Sequence, residues 1–406
     1  MEKEGTATLK MDADQTASFD FQAKKLQGAG ISLPLSAIVI ATIGYAGLGF
    51  QPVLVSSLIE AGEFSPDAAG YVASAEVFGI AAASLATALK GNQLSWRLQC
   101  FAGLMLLIAG VVASVMAGSD VPGMMAARFI SGLGSGLLIS RGYAAAGLSP
   151  NPDRMLGYLL AASTAHVAVG SLLLPKLIAQ WGLATIFIYF GVLACTGLPF
   201  IRWIPVRSIN TTELKHSGST LTERLAALVA AALFFMGLGV LWAYLFQVGL
   251  SMGASADEAA AGLSVSQIAA FGGALVAALA GRKIPAFSML LFAYVVTIGS
   301  VSLFPMLSGG LAYAVLAAGF NGGSNTAMVL VLGAVAEADI DGRWIAAAVA
   351  SQTLGFAFGP AMAALMMSDK NFLIPEIMSV ALILASCAAT IIAALAVRSR
   401  RTPQFT

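Results

Sequence analysis

The sequence predicts an all-α integral membrane protein of twelve transmembrane helices, arranged as two parallel six-helix repeats. Three observations carry this expectation. Charged residues make up 10% of the 406 residues, where a soluble protein carries roughly 25%. Hydrophobic residues make up 58% and the mean hydropathy is +0.87, more apolar surface than water-soluble domains of this size can hide. The apolar residues also form long continuous runs, which span a bilayer as helices; barrel strands would alternate every second residue.

Windows of about 20 apolar residues fall near 32–58, 67–89, 98–117, 121–147, 155–181, 183–204, 225–250, 256–280, 284–307, 310–336, 344–368 and 372–397. Turn formers separate them, among them Gly118 to Pro122, the run Ser149-Pro150-Asn151-Pro152-Asp153, and Gly281 with Pro285. The longest polar break, 205–224, divides the chain into a first bundle at 32–204 and a second at 225–398. Residues 1–31 are polar and mixed in charge, without the apolar core that follows the basic start of a secretory signal, and are expected to form a cytoplasmic tail, as is 399–406. Cys100, Cys195 and Cys387 lie in apolar runs without metal-ligand spacing, which suits small packing residues.

Orientation follows from the basic residues. With both termini inside, 17 of the 21 Lys and Arg, among them Lys90, Arg154, Arg224 and Arg343, fall on the cytoplasmic side, and only Lys176 and Lys370 fall outside. The expected location is the plasma (inner) membrane.

The two bundles repeat one another at a nearly constant offset along the chain. Gly47-Leu48-Gly49 matches Gly237-Leu238-Gly239, Ser65 matches Ser255, Gly91 matches Gly281, Gly132 matches Gly323, and Gly170 matches Gly359. Six spans is an even number, so both repeats enter the membrane the same way. Parallel repeats of this kind place a binding site between them near the midplane and expose it alternately by rocking.

In this arrangement the chain resembles the major facilitator superfamily of secondary transporters over about residues 32–398. Span 4 reads Arg128-Phe129-Ile130-Ser131-Gly132-Leu133-Gly134-Ser135-Gly136, similar to the fourth-helix arginine-and-glycine motif of that family. Gly170 to Pro175 looks like a reduced form of its fifth-helix Gly/Pro motif. The turn Gly91-Asn92-Gln93-Leu94-Ser95-Trp96-Arg97 keeps a Gly and an Arg but lacks the Asp of the family signature, and the 8–9 loop keeps only Gly281-Arg282-Lys283. The resemblance implies transport by alternating access and a part for Arg128 in proton coupling.

Ionisable groups inside a span are costly and are therefore functional candidates. On the sequence these are Glu76, Arg128, Arg141 and His166, all in the first bundle, with Glu76 the sole acid in a span. Glu76 lies nine residues beyond Asp67, roughly 14 Å into the membrane. A carboxyl at that depth beside a cation can take up and release a proton, or it can serve as the structural partner of Arg128. Arg128 offers a two-pronged fork that suits either Glu76 or a substrate carboxylate. Arg141 lies about 220° around the helix from Arg128 and can snorkel towards the membrane surface. His166 is a relay or anion contact, or a hydrogen-bonded packing residue. The second bundle offers Trp242, Tyr244, Gln247, Gln267, Asn321, Asn325 and Gln352. Gln247, Asn321, Asn325 and Gln352, with Tyr45 of span 1, either line the cavity or bridge helices, and Trp242 and Tyr244 either form an aromatic wall or face lipid.

No metal or nucleotide motif is present, so no enzyme activity and no cofactor are expected, and transport would run on a gradient. The expected partners are a small-molecule substrate, the proton and the lipid bilayer, without nucleic acid, for a monomeric carrier. With three cations against one acid, an organic anion is the favoured solute. Efflux of apolar drugs is the alternative within transport. A non-transporting receptor or scaffold is the alternative of another class.

Overall fold

The computed structural model describes residues 32–61, 64–90, 94–149, 152–206, 221–280, 284–338, 343–367 and 372–401. The tail 1–31, most of the central loop, the turn residues 91–93 and 281–283, and many of the orienting cations or their side chains, Lys90, Arg154, Arg224 and Arg343 among them, lie outside the described residues.

Twelve spans follow one another in the expected order. Span 1 consists of two helices, α1 (Ser32–Gly49) and α2 (Gln51–Glu60). Spans 2 to 6 are α3 (Pro66–Lys90), α4 (Trp96–Ala117), α5 (Val121–Gly147), α6 (Pro152–Trp181) and α7 (Ala184–Gly197), the last continued by a 3-10 turn over Leu198–Trp203. Span 7 is again broken, into α8 (Leu221–Trp242) and α9 (Leu245–Ser251). Spans 8 to 12 are α10 (Ala256–Ala280), α11 (Ala286–Leu303), α12 (Gly310–Ala338), α13 (Arg343–Met366) and α14 (Leu373–Arg401). Among the described residues, 11 helices are long and apolar enough to cross a membrane; α13, with 24 residues, completes the set.

The helices start and stop for local reasons. Asp120 caps span 4 by accepting from the amide of Gly123 at 2.9 Å, with Pro122 in the first turn. Ser255 and Glu258 cap span 8 reciprocally, Glu258 Oε2 accepting from the Ser255 amide at 2.8 Å and Ser255 Oγ from the Glu258 amide at 3.3 Å. Span 1 breaks at Phe50, next to Pro52 in the first turn of α2.

Packing within each half rests on small residues, because lipid supplies no hydrophobic drive for helices to associate. A Cβ at Gly132 would overlap the carbonyl oxygen of Glu76, and one at Gly79 would overlap the carbonyl oxygen of Phe129, so spans 2 and 4 touch backbone to backbone. The second half repeats the device, with Gly273 of span 8 against the Gly322 carbonyl of span 10. Span 1 meets span 5 at Gly49 and Gly170, and span 7 meets span 11 at Gly239 and Gly359. Among the described residues, Gly49, Gly132, Gly170, Gly239 and Gly359 of the repeat are thus points of close helix contact.

Gly132→Ala should force spans 2 and 4 apart. Overpacking of this sort costs about 1–3 kcal/mol, and the melting temperature of the purified protein should fall accordingly. Gly157→Ala, whose new methyl would meet nothing within 4 Å, should melt no lower than the wild type.

Candidate functional site

Glu76 lies near the middle of span 2 and faces span 4. Its side chain is 0% exposed, and that of Arg128 is 1% exposed. Arg128 Nη2 donates to Glu76 Oε1, and Nε donates to Oε2 at 3.3 Å, so the fork meets the carboxylate with both prongs. Arg128 Nη1 donates to Ser131 Oγ at 3.3 Å. The guanidinium lies over two rings of span 6, 5.8 Å from the centroid of Phe187 and 5.4 Å from that of Phe190. Beside the pair is a void of about 10 Å³, the room of a single water, lined by Ile43, Gly47, Leu107, Ser131, Ser135 and Phe190. All its walls belong to the first half. The glycines of spans 1, 2 and 4 bring the backbones close enough for a short carboxylate to reach the guanidinium.

The other candidates of the first half sit elsewhere. Arg141 Nη2 donates to the Thr87 carbonyl at 3.3 Å, and its guanidinium lies 5.1 Å over the Trp96 ring, joining span 4 to the ends of spans 2 and 3. His166 Nε2 pairs with Tyr189 Oη, and its ring stands edge-on to Phe50 at 5.3 Å. That group adjoins the ion pair through Phe190, which packs on both Tyr189 and Arg128. Tyr45 is half-buried on span 1, against Gly49.

The second half carries a neutral counterpart of the pair. In the register that aligns Gly47 with Gly237, Ser266 stands where Glu76 does, and Asn321 lies on span 10 two residues before Gly323, the match of Gly132. Ser266 Oγ accepts from Asn321 Nδ2 at 2.7 Å. Asn325 Nδ2 donates to the Asn321 carbonyl at 2.9 Å, and Gln352 Nε2 reaches Met328 Sδ at 3.4 Å. No residue signal singles out Ser266, since a serine in a span is cheap and common.

Trp242 and Gln247 reach across to the first half. Trp242 Nε1 donates to the Leu48 carbonyl at 3.0 Å. Gln247 Nε2 donates to Ser56 Oγ at 3.2 Å and to Glu60 Oε1 at 3.1 Å. Tyr244 donates from Oη to the Pro66 carbonyl at 2.8 Å, where an aromatic wall of the cavity was expected. Lys176 and the exposed Asp257 pair at 3.3 Å, and Phe78 meets Phe358 edge-on at 4.9 Å. These contacts join the halves from mid-depth to the end that holds the 1–2 and 7–8 loops.

One expectation needs correction. Glu76 is not the sole acid in a span, because Glu376, in the first turn of span 12, is 6% exposed. Its place near a helix start makes it read as a border residue. The fold covers it, with Phe372 just before it packed on the Tyr244 ring at 5.9 Å. Of the cysteines, Cys100 is buried, Cys387 half-buried and Cys195 exposed, and all three are free.

The sequence pattern of the Major Facilitator Superfamily matches residues 35–330. The chain belongs to that superfamily. Among solved structures, the POT family transporter PepTSo is similar at a TM-score of 0.72 and 13% identity, covering 92% of this chain and 99% of that one. The xylose transporter XylE from E. coli, in its inward open conformation, is similar at 0.69 and 15% identity, covering 88% and 95%. A D-xylose-proton symporter is similar at 0.64 and 18% identity, covering 87% and 97%. Comparison with curated protein sequences gives no match. At these identities the likeness speaks for the twelve-helix fold, and the chemistry of this superfamily member has to come from its own side chains.

Removing one partner of a buried ion pair leaves an unpaired buried charge and costs about 3–5 kcal/mol. Arg128→Ala should therefore lower the melting temperature markedly. The double variant Arg128→Met with Glu76→Gln should recover most of the loss. Thermal unfolding of the two singles and the double, in one detergent at one pH, checks this.

Proposed function

We propose that the protein is a secondary active transporter that moves a small organic solute by alternating access, coupled to protons through Glu76, with organic anions the favoured class. The observation that carries this reading is the buried Glu76–Arg128 pair. An ionised Glu76 occupies the whole fork of Arg128. When Glu76 takes a proton, the buried Arg128 is left without a counter-ion, and a solute carboxylate fills the vacancy. Proton and anion then bind together and leave together, which is symport. The printed names of some similar structures, a D-xylose-proton symporter and proton dependent oligopeptide transporters, support proton coupling on this fold. The Lys and Arg distribution favours both termini inside a plasma membrane. On that orientation the cross-half contacts close the outer end. The boundaries at 32–204 and 225–398 are the two rocking bodies of this scheme.

The test uses the full-length protein in liposomes with an inward proton gradient and a pH dye inside. Organic acids, their neutral analogues and apolar drugs are added in turn. We expect acid-dependent proton entry. In Glu76→Gln, gradient-driven accumulation of the acid should vanish while exchange of labelled acid across the membrane survives. Arg128→Lys should weaken apparent affinity for the acid on the order of ten- to a hundredfold and change that for neutral analogues little. Unchanged accumulation in Glu76→Gln overturns proton coupling by this residue. Proton exchange driven by apolar drugs in place of acids turns the assignment to efflux.

A further inference from the structure

Proline has no amide hydrogen, and residue 52 of span 1 is proline. In an unbroken helix the Leu48 carbonyl would accept from residue 52, four positions on. That donor is missing, and α1 ends one residue later, at Gly49. The freed carbonyl is taken by Trp242 Nε1 at 3.0 Å, from the last residue of α8 in the opposite half. Trp242 is itself 6% exposed, so the bond is sheltered from solvent and lipid.

The residue before Leu48 is Gly47, and a Cβ there would overlap Glu76 Oε1. The carboxylate therefore rests on the span 1 backbone one residue away from the carbonyl that holds the other half. Two residues after Trp242, Tyr244 donates to the Pro66 carbonyl at the head of span 2, the helix that carries Glu76. The break in span 7 is thus tied to the helix that carries Glu76 and to span 1, on whose backbone the carboxylate rests. Gly47 of span 1 and Arg128 of span 4 touch the carboxylate, and the void beside it is lined further by Leu107 of span 3, Ser131 and Ser135 of span 4 and Phe190 of span 6. Among the described residues Arg128 is the charged group that faces the carboxylate.

Resting on the reading of Glu76 as the proton site, we propose that the Trp242–Leu48 hydrogen bond is the contact through which protonation of Glu76 sets the closure of the two halves. When Glu76 takes a proton its hold on Arg128 weakens and the carboxyl shifts off Gly47. The backbone at residues 47 and 48 then moves, and the Trp242 bond breaks with it. Trp242 touches neither proton nor solute in this scheme; it is a positioning residue.

The experiment needs no solute. Spin labels at Ala61→Cys and Ala256→Cys, both exposed positions at the 1–2 and 7–8 loop end, are placed in a background with Cys100, Cys195 and Cys387 replaced by Ala. Distances between them are measured in nanodiscs across pH 5 to 9. In the parent the closed fraction should change with pH, and Glu76→Gln should abolish the change. Trp242→Phe keeps the ring and removes the donor; Pro52→Ala restores a helical donor that competes for Leu48. Both should also abolish the change. Ser56→Ala removes a different cross-half bond, that to Gln247. It should shift the closed-to-open ratio by about fivefold or less at every pH, the worth of one hydrogen bond, and leave the pH response in place. A pH response lost in Glu76→Gln but intact in Trp242→Phe and Pro52→Ala, with only a uniform shift, overturns this inference alone. A response that survives in Glu76→Gln overturns the Glu76 reading and this inference with it.

Discussion

The buried pair of Glu76 and Arg128 sets the terms for the first half of the molecule. Two ions withdrawn from water cost several kcal/mol each unless the geometry is good and further bonds satisfy them. The geometry here is two-pronged, with Ser131 and the faces of Phe187 and Phe190 taking up what the carboxylate leaves of the guanidinium. A glutamate side chain is short, so the helices bearing the pair must nearly touch. Gly79 and Gly132 permit that contact, and Gly47 permits span 1 to approach the carboxylate from the side. The glycines, the pair and the water-sized void are one construction. A larger residue at any of these glycines moves a charge as well as a backbone.

The backbone repeats across the two halves, but the chemistry does not. Spans 8 and 10 pack as spans 2 and 4 do, and are bridged by Ser266 and Asn321, whereas spans 2 and 4 are bridged by Glu76 and Arg128. A neutral pair of this kind bridges helices at low cost and has no proton to exchange at physiological pH. On the proton-coupled reading proposed above, the charged half responds to a proton and the neutral half does not. Glu376 stands apart from this division, since it lies in the first turn of span 12.

The twelve spans were legible in the sequence because hydrocarbon imposes one length on every crossing and leaves a run of apolar residues as its mark. The glycines that mark the repeat, such as Gly47 and Gly132, turn out to be close approaches, so the repeat itself points to helix contacts. The partner of Arg128 was open between Glu76 and a solute, because depth along two helices does not say which faces meet. Angular position alone put Arg141 away from Arg128, and it lies under Trp96. His166 and Tyr189 could not be joined before span 6 was placed beside span 5. The break in span 1 had a signal in Pro52, whereas that in span 7, at Ala243-Tyr244, has none in residue type. Trp242 and Gln247 read as cavity residues because a polar group in a span says that it needs a partner, and not in which half the partner lies.

The bonds that join the halves are of a different kind from the bond that holds Glu76. Trp242 and Tyr244 each donate to a backbone carbonyl, Gln247 donates to a hydroxyl and an exposed carboxylate, and Lys176 pairs with Asp257 in the open. Neutral hydrogen bonds are worth about 1 kcal/mol net and exposed ion pairs about 0–1 kcal/mol. Together they amount to a few kcal/mol, the size of bias that a single binding or protonation event can reverse. A cross-half pair buried as Glu76 and Arg128 are would hold the halves in one state against any such event. The strong interaction therefore lies within one body and the weak ones between the bodies. The Leu48 carbonyl, freed by Pro52 and lying next to the Gly47 that the carboxylate presses on, is where the two kinds come within one residue of each other.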